Sequence, residues 1–227
     1  MLLDQFKLQN IGKDYADFQK AMGQEKNIAA FYATQNLRYL IASQSERFFV
    51  YITQDRISAK EAHKILSEYT NGEVVYLTEK DEVLLNLQFD TSSSLASRIS
   101  TLSKIALGQA KGVVVSAESL MQYVPDLGAF LDATLKIEIG KTLDIYDAID
   151  SLVFAGYSRV DAVSHKGEFS QRGDILDIWS NDMDFPVRID FFGDSVEQMK
   201  VFAPDTMLAT SKINSIVIPP HSDILIS

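Results

Sequence analysis

The run Pro186-Val-Arg-Ile-Asp-Phe-Phe-Gly193-Asp194 constrains the fold of this chain more than any other stretch. Side chains on a strand alternate with a period of two. Val187, Ile189 and Phe191 therefore share one face, and Arg188, Asp190 and Phe192 share the other. The first set can enter a core. The second combines a cation, an anion and a large aromatic, which suits a surface that meets another protein. Upstream, Gly156-Tyr-Ser-Arg-Val-Asp161 and Gly167-Glu-Phe-Ser-Gln-Arg-Gly-Asp-Ile-Leu-Asp-Ile178 form a second β-rich run punctuated by glycines. Arginines sit at fixed points inside an otherwise acidic segment.

That acidity is uneven. Residues 135–227 carry 8 basic and 15 acidic side chains, against 13 and 16 in residues 1–134. A net charge of −10 argues against binding a phosphate backbone, which needs clustered Lys and Arg. There is no cysteine, so disulfides, thiolate metal sites and cysteine nucleophiles are excluded together. The N-terminus lacks a charged-then-apolar signal layout, and no apolar run is long enough to span a bilayer. A cytoplasmic location is expected.

Periodicity divides the chain in two. Residues 4–22 place Phe6, Ile11, Tyr15, Phe18 and Met22 at helical spacing, and the run 28–43 is expected to end as a helix. Arg47–Thr53 is a β-branched and aromatic run and reads as a buried strand. Asp55 can cap a helix whose inner side carries Ile57, Ala62, Ile65, Leu66 and Tyr69, with Asn71-Gly72 ending it. Val74–Leu77 is a strand, Ser92–Leu107 a helix, Gly112–Ser116 a strand and Ala117–Tyr123 a short helix. Strand alternating with helix predicts a parallel sheet with covering helices. From Leu135 the grammar changes to a short strand, a helix over 143–154 with Leu143, Ala148, Leu152 and Val153 inward, and then several strands. The expected architecture is an α/β domain over 1–133 and a smaller inserted α+β domain over 134–218. Residues 219–227 would begin the return to the first domain. Ser215–Ile218 is expected to run as a strand toward the N-terminal sheet, and the chain reads as cut from something longer.

Few residues carry candidate chemistry. Between Gly23 and Gly72 there is no glycine, so a phosphate-cradling loop is not expected there. His63, His165 and His221 lack metal-ligand spacing and oriented partners, and His63 reads as a surface residue. Asp182 and Asp184 lie in a stretch without the glycine and terminal glutamate of a calcium loop, so a solvated turn is expected. No catalytic residue, metal site or cofactor is assigned. Arg172, Arg188 and Phe192 remain. The plainer reading pairs the arginines with Glu168 or Asp190 and uses Phe192 to complete a core.

These motifs resemble domain 2 of two related bacterial repair families, the excision-repair helicase UvrB and the transcription-repair coupling factor. The resemblance is close over about 135–220 and rests on element order over 1–134. UvrB carries a working P-loop and a tyrosine-rich hairpin, and this sequence has neither. Phe31-Tyr-Ala-Thr-Gln-Asn-Leu-Arg38 stands where the P-loop would fall, with Leu37 at the place of its lysine. The chain is thus identified as similar to the coupling factor's N-terminal module, a degenerate P-loop-like domain without ATP chemistry. Departures from the family are Asp174 for a glycine, Ala203 in a Phe-Asp-Pro stretch, and Met207-Leu208-Ala209.

The resemblance implies a recruiting adaptor that binds UvrA, the damage-recognition ATPase, through Arg172, Arg188 and Phe192. RNA polymerase and DNA would be met only by the remainder of an ATP-dependent translocase. A monomer without membrane contact is expected. The alternatives are an ATP-dependent helicase fragment and a module used only for autoinhibition. Because exposed ion pairs contribute little, truncating the arginines is expected to leave thermal stability nearly unchanged. For the hairpin at Gly193, a two-residue loop would set Asp190 opposite Glu197, an unfavourable pairing of like charges. A three-residue loop, Gly193 to Ser195, is therefore expected, pairing Ile189 with Met199 and Val187 with Val201.

Overall fold

The computed structural model describes Lys20, residues 34–80 and residues 91–222. The helix expected over 4–22 and the start of the run 28–43 lie outside the described residues, apart from Lys20.

A three-stranded parallel sheet comes first. Its strands β1 (Phe49–Thr53), β2 (Val74–Leu77) and β3 (Gly112–Ser116) lie in the order β1-β3-β2. The central strand β3 is buried along its whole length, as a parallel strand covered on both faces must be. Alternation sends Val114 to one side and Val113 and Val115 to the other. On Val114's side, α1 (Gln35–Ser43) and α2 (Arg56–Tyr69) supply Tyr39, Ala59, Ala62 and Leu66. Opposite, α3 (Thr91–Ala106) supplies Ile99 and Leu102, and Phe130 joins them from α5 (Leu127–Asp132), which follows the single-turn helix α4 (Ala117–Leu120). Asp55 caps α2 by accepting from the Ser58 N–H at 2.8 Å. Asn71 and Gly72, at φ 53° and 83°, end it as expected.

Three expectations fail here for one reason. β1 is an edge strand rather than a buried one, and Val50 and Ile52 are about half exposed. Ile57, in the first turn of α2, is exposed instead of inward. His63 is not a plain surface residue, because its Nε2 lies 3.1 Å from the Val74 carbonyl and its ring lies beside Tyr76. Apolar spacing identifies an element, but its place at the edge or centre of a layer is set by tertiary packing.

The second half is built on an antiparallel scaffold. β4 (Leu135–Glu138) leads into α6 (Ile145–Phe154), capped by Asp144, which accepts from the Tyr146 N–H at 2.6 Å. Then come β5 (Ser158–Arg159), β6 (Glu168–Arg172), β7 (Ile175–Ile178), β8 (Val187–Phe192), β9 (Ser195–Phe202), β10 (Ala209–Ile213) and β11 (Ser215–Ile218). Six of them form a sheet ordered β10-β9-β8-β7-β6-β5, antiparallel throughout except for β5 and β6. One face packs Phe169, Leu176, Ile178, Ile189, Phe191 and Met199 against Ile145, Ala148, Ile149 and Leu152 of α6. Val153, expected inward, points out of this core and is exposed.

β11 does not run to the N-terminal sheet. It pairs antiparallel with β4, setting Ile216 opposite Ile137 and Ile218 opposite Leu135. The alternating Ile216 and Ile218 are buried in the same core as Ile137, so this ladder satisfies both the backbone and the apolar face.

The hairpin at Gly193 is also corrected. Phe192 pairs with Ser195, so the loop has two residues, Gly193 and Asp194, with Gly193 at φ 57°. A glycine of positive φ in the first loop position suits a type II′ turn. Glu197 is then an extra residue in β9, because Phe191 pairs with Val196 while Asp190 pairs with Gln198. This bulge restores the expected pairs Ile189–Met199 and Val187–Val201, and Asp190 never faces Glu197.

Gly167 fixes how the end of the described chain is held. It has φ 86°, and an added Cβ would clash with the His221 ring. That ring contacts Tyr157 and has Nδ1 3.1 Å from Asn181 Oδ1, while the His221 N–H donates to the Ala155 carbonyl at 2.7 Å. Burial holds the His221 imidazole below its usual pKa. Gly167→Ala should therefore lower unfolding free energy by about 2 kcal/mol or more, from backbone strain and lost packing together. Gly173→Ala has a similar φ but open space around it and should cost only about 1 kcal/mol. Urea titration of the two variants checks the difference.

Candidate partner-binding face

The outward face of the six-stranded sheet follows from register. Residues directly opposite one another point the same way. One row therefore reads Ser170, Asp177, Arg188, Lys200 and Lys212 across β6 to β10. The next reads Arg172, Ile175, Asp190 and Gln198. Phe192 follows Asp190 by two residues on β8, and the bulge lies on β9, so the alternation of β8 is undisturbed. Arg172, Arg188 and Phe192 thus share one face of neighbouring strands.

Asp177 organises this face. It is only 1 % exposed, yet it is a charged residue in the apolar run Ile175-Leu-Asp-Ile178. Its Oδ1 and Oδ2 accept from Arg188 Nε and Nη2, both at 2.7 Å, in a two-pronged pair. Oδ2 also accepts from Arg172 Nη2 at 3.0 Å. The arginine pairing expected with Glu168 or Asp190 is thus made with Asp177 instead. Glu168 accepts from the N–H groups of Ser164 and His165, and Asp190 is 3.4 Å from Lys200. The Arg188 guanidinium stacks over the buried Phe202 ring, 5.0 Å from its centre. The hydrogen bonds to Asp177 raise its pKa further, against the opposing effect of burial.

Phe192 completes no core. It is 76 % exposed at the tip of the β8–β9 hairpin. By strand rise it stands about 13 Å along β8 from Arg188. The face therefore offers two oriented guanidiniums and one projecting aromatic ring.

Elsewhere the titratable groups have local work. The Glu79 carboxylate is buried beneath α2 and close to Arg56 at 2.9 Å. Burial opposes its charge, but hydrogen bonds from Ser116 and Tyr76 hold its pKa below the usual value. Asp182 accepts from Ser180 in the turn before β8, as a solvated turn would. Among the described residues no three His, Asp or Glu side chains are grouped to hold a metal, and no helix is long and apolar enough to cross a membrane.

Residues 135–223 match the family described as the UvrB interaction domain. This part of the chain is similar to a UvrB interaction domain. Over 94 % of its length the whole chain is 24 % identical to the transcription-repair-coupling factor of Staphylococcus epidermidis strain RP62A. It is 25 % identical over the same share to those of Staphylococcus aureus strains RF122 and Mu50. It spans 18 % of the length of these relatives. The resemblance drawn from the motifs is borne out, and the matched family is an interaction module, consistent with an adaptor role in nucleotide excision repair.

Sequence reasoning named the three outward residues of this face and missed Asp177. A signal existed, because parity puts Asp177 on the same face as Ile175 and apart from Leu176 and Ile178. The structure also revises the stability expectation. Arg172 is more than half exposed, and its truncation should cost under about 1 kcal/mol. Arg188→Ala would leave a buried carboxylate with one of its three hydrogen bonds and should cost about 2–3 kcal/mol. Phe192→Ala should stay within about 0.5 kcal/mol of the parent. Chemical denaturation of the three variants tests this order.

Proposed function

We propose that this chain is the UvrA-recruiting adaptor of a transcription-repair coupling factor, and that Arg172, Arg188 and Phe192 make the contact. The observation that carries the reading is the exposed Phe192 on the same sheet face as two arginines held by one buried carboxylate. A projecting aromatic and oriented guanidiniums are the usual energetic anchors of an interface. Arg188, Lys200 and Lys212 stand opposite one another on three successive strands, a cationic row in an acidic domain. Such a row favours a partner surface rich in carboxylates.

The domain reading is part of this proposal. Residues 134–218 form the partner-binding unit, set into a degenerate P-loop-like domain that begins over 1–133 and resumes from 219. Its support is that one core cluster draws only on residues from 135 onward and the other two only on residues up to 130. The pairing of β4 with β11 also brings the ends of the unit together. The first domain keeps the parallel order β1-β3-β2 but lacks the glycines and lysine that bind phosphate. The ATP-dependent motor and the contacts with RNA polymerase and DNA belong to the rest of a longer cytoplasmic parent, and this module acts as a monomer.

Two measurements test the reading. Arg172→Ala, Arg188→Ala and Phe192→Ala should each weaken binding to isolated UvrA at least about tenfold, or 1.4 kcal/mol. Phe192→Ala is decisive, because its loss cannot be ascribed to unfolding. Normal UvrA binding by that variant would move the site elsewhere. Calorimetry with Mg-ATP should show no heat above dilution, and micromolar binding would instead favour a working nucleotide site.

A further inference from the structure

We infer that Asp177 is a positioning residue for the partner-binding face, fixing Arg172 and Arg188 as one pre-formed anion receptor. The inference rests on the UvrA-binding reading and adds a residue to it. Asp177 is itself too buried to meet a partner. All of its observed donors are the two arginines. Side-on pairing through Nε and Nη2 fixes the plane of Arg188, and Phe202 supports the other side of that plane. The Nη1 end of Arg188 is left for a partner. Arg172 uses a single Nη2 contact and keeps its remaining N–H groups.

Two long flexible side chains are thus ordered before any partner arrives. Pre-ordering removes a cost that binding would otherwise carry. One carboxylate against two guanidiniums also leaves the trio positively charged, so the receptor still attracts carboxylates. The partner chemistry is an acidic loop whose carboxylate meets both arginine forks beside an apolar socket for Phe192.

The inference makes a prediction opposite to that of simple charge counting. Asp177→Asn removes a negative charge from a cationic face. Electrostatics alone would tighten binding to an acidic partner. Positioning predicts weaker binding by about fivefold or more, with faster dissociation and an association rate that is unchanged or higher. In an Arg172→Ala/Arg188→Ala background, Asp177→Asn should then have no further effect on UvrA affinity. Equal or tighter binding of the single variant overturns the proposal. So does the same loss in both backgrounds, which would make Asp177 act without the arginines.

A second readout needs no partner. In NMR spectra of the 227-residue chain, the Arg188 Nε–H should exchange slowly with water, and Asp177→Asn should make it exchange fast. Fast exchange in the parent chain overturns the positioning alone. A protected Nε–H in a parent chain that fails to bind UvrA overturns the adaptor reading and, with it, the role given to Asp177.

Discussion

A carboxylate at 1 % exposure cannot stand unpaired, and the outward face of the larger sheet is arranged around that fact. Asp177 needs cations, and both come from neighbouring strands. Arg188 lies directly opposite on β8, and Arg172 lies one row along on β6. These positions are fixed by ladder register, which is fixed in turn by the apolar residues on the other face. A slip of one residue in β7 would bury the charge among Phe169, Ile189 and Met199 and expose Leu176. The core therefore specifies the receptor. The receptor in turn penalises wrong registers, because any of them leaves Asp177 without donors.

The hairpin shows how a local defect preserves this arrangement. A two-residue loop without a bulge would set Asp190 opposite Glu197 and shift every later pair. Inserting Glu197 as an extra residue corrects the register before Asp190 is reached. β8 stays regular, so Arg188, Asp190 and Phe192 remain on one face. The irregularity falls on the strand that carries none of the three anchor residues.

What was legible in the sequence follows the same division. The alternation of β8, the parallel grammar of the first half and the cap at Asp55 are local signals, and each appears in the structure. The pairs Ile189–Met199 and Val187–Val201 were legible from the charges they avoid, although the loop that produces them was not. A short loop plus a bulge and a longer loop without one give the same distant pairs. The exposure of Val50, Ile52, Ile57 and Val153 was not legible, because the edge of a layer is defined by which other elements are absent from it. The partner of β11 was misread for a related reason. Ile216 and Ile218 call for an apolar face, but nothing local says that β4 supplies it rather than the first sheet. Asp177 was hidden by its surroundings, since one more acid in an acidic segment reads as solvated until the strand beside it is known.

The three anchor residues differ in what they owe to the fold. Phe192 projects from a hairpin tip and owes almost nothing to the core. Arg172 is half in solvent and tied by one hydrogen bond. Arg188 is built into the sheet through two hydrogen bonds and an aromatic ring, so its place is structural whatever it meets outside. Beyond it, Lys200 and Lys212 continue the row with like charges facing each other, an arrangement that weakens a sheet by a few tenths of a kcal/mol to about 1 kcal/mol. Asp190 offsets part of that cost by approaching Lys200. The acidic partner proposed above would relieve the rest. On the proposed reading the sheet is more fully satisfied with an acidic partner than without one, the electrostatic form that selectivity would take on a domain otherwise rich in negative charge.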